Sequence, residues 1–320
     1  MKKTLIIGGG GFVGGHLLAY LKSRGDHVSV TKMPHELSGA AADAVYDLDI
    51  LKEEDVFSLL DRVRPDAVYH LAAQSSVALS WKDPGLTVDV NVKGTLNLLN
   101  AVLRVRYAPR LLLVGSGEEY GRISEGEVPV TETNALRPGN VYAATKVCQN
   151  MLGKIYADAY GMDIVMVRAF NHIGPGQSDQ FVISNFCKQA AEIEREDGVH
   201  TMQVGNLKAR RDFTDVRDVV RAYVMLMESG IAGETYNVGS GKAVSIEEIL
   251  KMILSISTRE IGIEMDPERF RPIDLPVVQA DIGKLKGCTG WVPEIPLSQS
   301  IKETLEYWRE RGKDNVDSQV

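Results

Sequence analysis

Ser116, Tyr142 and Lys146 are the residues whose types and spacing could do chemistry. Tyr142-Ala143-Ala144-Thr145-Lys146 has the form YxxxK and opens a segment of helical periodicity. Residues four apart share a helix face, so the Lys146 ammonium stands beside the Tyr142 phenol. A free tyrosine has a pKa of about 10, too high for efficient proton exchange near neutrality. Lowering it by about three units takes roughly 4 kcal/mol of differential stabilisation of the phenolate, which neighbouring positive charge can supply. Ser116 lies in Val114-Gly115-Ser116-Gly117-Glu118-Glu119-Tyr120-Gly121, just past the apolar run Arg110–Val114. Its hydroxyl can hydrogen-bond a substrate oxygen. YxxxK alone recurs by chance in many helices, so its weight depends on what surrounds it.

What surrounds it is a phosphate-binding turn. Gly8-Gly9-Gly10-Gly11-Phe12-Val13-Gly14 carries glycines at the spacing GxxGxxG, after a strand and at the start of a helix. The first makes the turn, the second lets the backbone approach a pyrophosphate, and the last permits close helix–strand packing. The helix N-terminus then offers N–H groups and a partial positive charge. A bound dinucleotide in its oxidised form would add the nicotinamide charge that helps tune Tyr142. An acid at the end of the second strand favours NAD, and a base tolerates the 2′-phosphate of NADP. The chain has Val30-Thr31-Lys32 there. NADP(H) is therefore expected, with Lys32 near the 2′-phosphate and NAD(H) as the alternative. Asp49, in Asp47-Leu48-Asp49-Ile50, is a candidate partner for the adenine amino group.

The elements that must position these residues alternate. Strands are expected at Thr4–Ile7, His27–Thr31, Asp66–Tyr69, Arg110–Val114 and Asp163–Val167, and helices at Phe12–Arg24, Lys52–Arg62, Thr87–Arg104 and Tyr142–Tyr160. Strand–helix alternation with uninterrupted apolar strands is the pattern of an α/β fold, a doubly wound parallel sheet covered on both faces. After Phe170 the rhythm gives way to Gly- and Pro-rich loops, until Glu234–Val238 returns to the sheet, Ser245-x-x-Glu248 caps a helix and Leu297–Arg311 forms a last one. The expected division is residues 1–170 plus about 215–257 for the dinucleotide-binding part. About 171–214 plus 258–320 would form a smaller, loop-rich substrate lobe. Arg217 and Asp218 are expected to secure a helix start together.

Composition bounds the function classes. The chain has 320 residues, 44% hydrophobic and 25% charged, which excludes disorder or coiled coil as a description of the whole. A net charge of −7 argues against a dedicated nucleic-acid or membrane-surface binder. Cys148, Cys187 and Cys288 are odd in number and far apart, so they suggest free thiols in a reducing cytoplasm; no metal-ligand spacing occurs. Thr4–Leu21 lacks charge but is broken by Gly8 to Gly11, unlike a signal peptide or membrane span.

Further motifs occur in order with the glycine turn, the Ser116 loop and YxxxK: His70-Leu71-Ala72-Ala73, Asn91-Val92-Lys93-Gly94-Thr95 and Arg168-Ala169-Phe170-Asn171. With them the chain resembles the extended short-chain dehydrogenases/reductases that act on nucleotide sugars. Phe170-Asn171-His172-Ile173-Gly174-Pro175-Gly176-Gln177, Gly205-Asn206-Leu207, Arg211-Asp212-Phe213-Thr214-Asp215-Val216-Arg217-Asp218 and Arg271-Pro272 are similar to its GDP-mannose branch. The resemblance implies catalytic roles for Ser116, Tyr142, Lys146 and Glu118. It implies cofactor contacts from Gly8, Gly11, Phe12, Val13, Lys32, Asp49, Ile50, Leu71, Ala72, Ala73, Tyr142 and Lys146. For a GDP-sugar it implies Arg211 and Arg271 at the pyrophosphate, Asp274 at the nucleotide ribose, Asn171 at the diphosphate and Lys188 at sugar or phosphate.

Two activities of that branch compete. One is NAD(P)H-dependent reduction of the C4 ketone of GDP-4-keto-6-deoxy-D-mannose to GDP-D-rhamnose; the other is 4,6-dehydration of GDP-mannose. Met33–Val45 is short and free of arginine where the dehydratases carry a longer arginine-rich segment, and Ser116-Gly117 replaces their Ser/Thr pair. Both departures favour the reductase; a 4-epimerase is a third reading. The segments Thr87–Arg104 and Tyr142–Tyr160 resemble helices that pair into a four-helix interface, which implies a homodimer.

Overall fold

The computed structural model describes residues 2–33, 41–198, 200–269 and 275–317. The first strands are β1 (Lys3–Ile7), β2 (His27–Lys32), β3 (Ala44–Asp47), β4 (Ala67–His70), β5 (Arg110–Ser116) and β6 (Ile164–Ala169). Between them run α1 (Phe12–Ser23), α2 (Glu53–Val63), α3 (Val77–Lys82), α4 (Pro84–Val88), α5 (Gly94–Arg104) and α6 (Val141–Tyr160). There follow β7 (Asn171–Ile173), α7 (Val182–Ile193), β8 (Thr201–Val204), β9 (Arg210–Asp215), α8 (Val216–Ser229), β10 (Thr235–Val238) and β11 (Ala243–Ser245). The chain ends with α9 (Ile246–Ile256), β12 (Gly262–Met265), β13 (Val277–Val278), α10 (Gly283–Thr289) and α11 (Leu297–Asp317).

Seven strands form one sheet in the order β10-β6-β5-β4-β1-β2-β3, every pair parallel. Side chains alternate between its faces with period two. Ile6, Val28, Val30, Leu112 and Val167 meet Leu17, Leu18 and Leu21 of α1 and Val219, Val220 and Tyr223 of α8 on one face. Leu5, Ile7, Val68, Leu111 and Leu113 meet Val56, Leu59 and Leu60 of α2 and Leu98, Leu99 and Val102 of α5 on the other. Each such side chain removed from water contributes about 1.5–3 kcal/mol, so both helix layers are held firmly to the strands. Sequence order reverses between β1 and β4, and the crevice outside their carboxyl ends is where ligands bind in such sheets.

The expected long helix at Thr87–Arg104 is present as α4 and α5, but a π-helical turn, Asp89–Lys93, joins them. The smaller lobe is built on β9, which pairs with β7, β11 and β13, and on the β8–β12 pair. Two helices pack away from their neighbours in sequence. Helix α9 buries Ile246, Ile249, Leu250 and Ile253 against Phe186 and Ala190 of α7 and Ile301 and Leu305 of α11, not against the sheet. Leu285 of α10 and the nearby Trp291 instead join the core beside α8. Apolar stripes, not chain order, decide which core each helix enters. Among the described residues no helix is long and apolar enough to cross a membrane.

Candidate active site

The site forms where β5 ends. Ser116 is the last residue of that strand and caps a single 3-10 turn, Gly117–Tyr120. Its Oγ accepts the Glu118 N–H at 3.2 Å, while its own N–H donates to Glu119 Oε1 at 2.9 Å. The other Glu119 oxygen accepts from Arg168 Nε on β6 at 2.9 Å. Glu119 is fully buried, and burial pushes its pKa up to about 7 against the opposing pull of Arg168 and the Ser116 N–H. Arg168 Nη1 also donates to the Tyr120 hydroxyl and to the Glu132 carbonyl. The Ser116 backbone therefore stands on a buried, charge-assisted network.

Helix α6 brings the other two residues. Asn140 caps it, accepting the Ala143 N–H at 2.8 Å, which fixes the turn carrying Tyr142. The half-buried Tyr142 lies close enough to Ser116 for the serine hydroxyl to act on the phenol. Lys146, buried one turn later, donates to the Val114 carbonyl at 2.8 Å and to Gln149 Oε1 at 3.1 Å. Glu118 is half-buried, within electrostatic range of Tyr142, and its Oε2 accepts from Asn140 Nδ2 at 3.4 Å.

The proton affinities depart from the sequence-based expectation. Burial, with the charges of Glu118 and Glu119, pushes Tyr142 up to about 12 in spite of the Ser116 hydroxyl. Burial pulls Lys146 down to about 8, with Glu119 acting the other way. Desolvation, joined by the two carboxylates, outweighs the pull of Ser116 on the phenol. It keeps Tyr142 protonated, the form a proton donor needs.

A second buried network lies behind α6. Asn91, within the π turn, accepts the Gln74 N–H at 2.8 Å and donates to the Gln74 carbonyl and to Thr145 Oγ1. Thr95 Oγ1 donates to the Asn91 carbonyl at 2.7 Å and lies 3.1 Å from His70 Nε2, so that nitrogen carries the proton. Burial and Lys146 push His70 down to about 3, keeping it neutral. This network ties the loop after β4 to the first turns of α6.

The glycine turn faces the same crevice. Gly8 has φ +86°, and a Cβ there would lie 2.7 Å from Ala72 N. Leu71 and Ala72 both donate backbone N–H groups to the Ile7 carbonyl, so Leu71, Ala72 and Ala73 follow the turn closely. Gly11 is the N-cap of α1 with no side-chain cap, leaving the first helical N–H groups, at Phe12 and Val13, for an anion. These features fit a dinucleotide pyrophosphate. Lys32 ends β2, its Nζ 2.6 Å from Asp47 Oδ1. Asp49 caps a turn through the Leu51 N–H, and Ile50 is buried against Gly94.

The candidate substrate residues are spread over the smaller lobe. Asn171 is exposed on β7, and Arg211 on β9 donates to the Leu275 carbonyl at 2.7 Å. Lys188 is paired with Asp179 at 2.7 Å. Arg271 and Asp274 lie outside the described residues. Arg217 pairs with Asp215 and Asp218 with Arg221, because Asp215, not Asp218, is the N-cap of α8. Sequence reasoning missed Glu119 and Asn140 as positioning groups, although the Asn140 cap signal was present.

Fold and site together have the form of an extended short-chain dehydrogenase/reductase. The chain belongs to the GDP-mannose 4,6 dehydratase family, whose family model matches residues 5–304. A GDP-6-deoxy-D-mannose reductase of Pseudomonas aeruginosa is 34% identical over 313 residues, covering 98% of this chain and 99% of its own. A GDP-mannose 4,6-dehydratase of Yersinia enterocolitica is 27% identical over 367 residues, with 99% and 96% covered. The solved structure of RMD from Pseudomonas aeruginosa complexed with NADPH superposes with a TM-score of 0.87 at 34% identity, over 97% of this chain and 100% of that one.

Proposed function

We propose that the protein is an NADPH-dependent reductase that converts the C4 ketone of GDP-4-keto-6-deoxy-D-mannose to the alcohol of GDP-D-rhamnose. The observation that carries this reading is the Ser116–Tyr142 hydroxyl pair, with Tyr142 held protonated, at the carboxyl end of the sheet beside the Gly8 turn. The full-length similarity to a GDP-6-deoxy-D-mannose reductase supports the substrate, and the likeness to an NADPH complex supports the cofactor.

NADPH, when bound, supplies the hydride that reduces the carbonyl carbon. Ser116 orients the carbonyl and donates to its oxygen, where negative charge develops. Tyr142 hands its hydroxyl proton to the same oxygen as general acid. Lys146 is assigned the positive charge behind Tyr142 and the contact with the nicotinamide ribose. Arg211, with Arg271 and Asn171, is assigned to the diphosphate, Asp274 to the nucleotide ribose and Lys188 to the sugar end. Glu118, half-buried near Tyr142, is the reserve acid/base group.

We place the chain in the cytoplasm as a homodimer. Its three cysteines are free, as a reducing compartment would keep them. Trp81 and Met151 are each 57% exposed, with Leu86, Val88 and Ile155 also uncovered on α3, α4 and α6. Exposed apolar side chains on helices that pack together suit an interface, and sedimentation of the purified protein tests it.

The activity test offers the purified protein GDP-4-keto-6-deoxy-mannose with NADPH, and separately GDP-mannose with no reductant. Consumption of NADPH in the first reaction, and no 4-keto product in the second, are expected. A 4-keto product from GDP-mannose alone would make the protein a dehydratase.

A further inference from the structure

The ends of β2 and β3 carry a feature that a cofactor-binding strand end does not need for folding. The two strands pair in register Lys32↔Asp47, which sets these side chains side by side at the sheet's carboxyl edge. The preceding residue, Thr31, accepts the Gly8 N–H on its Oγ1 at 3.0 Å, so Lys32 begins one residue beyond a direct contact with the phosphate-binding turn. Lys32 Nζ lies 2.6 Å from Asp47 Oδ1 and donates to the Met33 carbonyl at 3.3 Å. The lysine side chain is only 16% exposed, whereas the aspartate is 58% exposed. The cation is covered and neutralised, and the carboxylate is what faces solvent.

We propose that Asp47 is a specificity-determining residue that acts through Lys32, restraining its charge and so weakening discrimination in favour of a 2′-phosphorylated dinucleotide. This rests on the reading that the glycine turn binds NADPH. A phosphate monoester carries close to two negative charges and gains from an ammonium nearby. With Asp47 in place, the phosphate must compete for Lys32 with a carboxylate already 2.6 Å away. A dinucleotide with a plain 2′-hydroxyl does not face that competition, and a carboxylate beside it is a ready acceptor. The pair thus moves the site toward using both dinucleotides, although no acid occupies the strand end itself.

The test is titration of NADPH and NADH by fluorescence, reading dissociation constants without turnover. Asp47→Asn should raise the NADPH-over-NADH preference by roughly three- to tenfold, the scale of one partly exposed charge acting on a phosphate, and the gain should shrink at high salt. Lys32→Gln should lower that preference, and adding Asp47→Asn to it should then have little effect. An unchanged preference in Asp47→Asn overturns the proposal while leaving the cofactor reading intact, as does an equal gain in the Lys32→Gln background. Failure of the unaltered protein to bind either dinucleotide overturns both.

Discussion

Lys146 and Gln149 share one acceptor: both donate to the carbonyl of Val114, at 2.8 and 3.0 Å. Val114 lies two residues before Ser116 on β5, so the pair keys the register of α6 to the strand that presents the serine. The Ser116–Tyr142 approach is thus set by buried hydrogen bonds behind it. Its loss is the first thing to measure. Tyr142→Phe should lower kcat by ~10²–10⁴, as removal of a general acid does, while the dissociation constant for NADPH changes little. Steady-state kinetics beside a cofactor titration separate the two effects, and full turnover in the variant would refute the role.

The pH dependence should be set by Lys146. Burial draws its pKa down to about 8, so the ammonium is lost as pH rises through that value, well below the ordinary ~10.4. Tyr142, pushed up to about 12, stays protonated throughout. The profile of kcat/KM is therefore expected to fall above pH about 8, and residual activity of Lys146→Met should lack that limb. The stability effect has its own sign. A lysine with a depressed folded pKa binds fewer protons in the folded chain between about 8 and the unfolded value. Its own contribution to stability therefore rises with pH across that window.

Arg168 and Glu119 form a nearly dry pair, with side-chain exposures of 7% and 0%. Arg168→Met leaves a buried carboxylate without its cation and should cost about 3–5 kcal/mol in denaturant unfolding at neutral pH. Glu119 already has a raised pKa, so it takes up a proton readily. The deficit should diminish as the solution is made more acidic, because the neutral carboxyl is cheaper to bury. A deficit independent of pH would point to lost packing instead.

Substituting two glycines of the turn should affect stability differently. A Cβ at Gly8 meets the Ala72 backbone at 2.7 Å in a left-handed conformation, so Gly8→Ala should lower the melting temperature as well as cofactor affinity. A Cβ at Gly11 meets nothing closer than 3.5 Å. Gly11→Ala should fold with near-normal stability and still bind NADPH poorly, because its methyl group would occupy the pyrophosphate's approach. Thermal melts and NADPH titrations of the two variants check the contrast.

The sheet, the glycine turn and the Ser116, Tyr142 and Lys146 set were legible in the sequence because each rests on local spacing. Apolar runs mark buried parallel strands, and YxxxK marks one helix face. The supports were not legible. Glu119 and Arg168 meet across 49 residues, and the Lys32–Asp47 contact exists only because β2 and β3 pair in that register. Helical periodicity continued through Asp89–Lys93, yet there the helix widens to a π turn in which Asn91 reaches Gln74 and Thr145. The packing of α9 was not legible for a related reason: its apolar stripe meets α7 and α11, which lie far from it in the chain.

The central claim is hydride delivery to the sugar's C4, and labelled cofactor tests it most directly. NADPH carrying deuterium at the transferable position of the nicotinamide should yield a GDP-deoxyhexose that is heavier by one deuterium, located at C4 of the sugar. A product that forms without NADPH oxidation, or that carries no label at C4, would contradict the account.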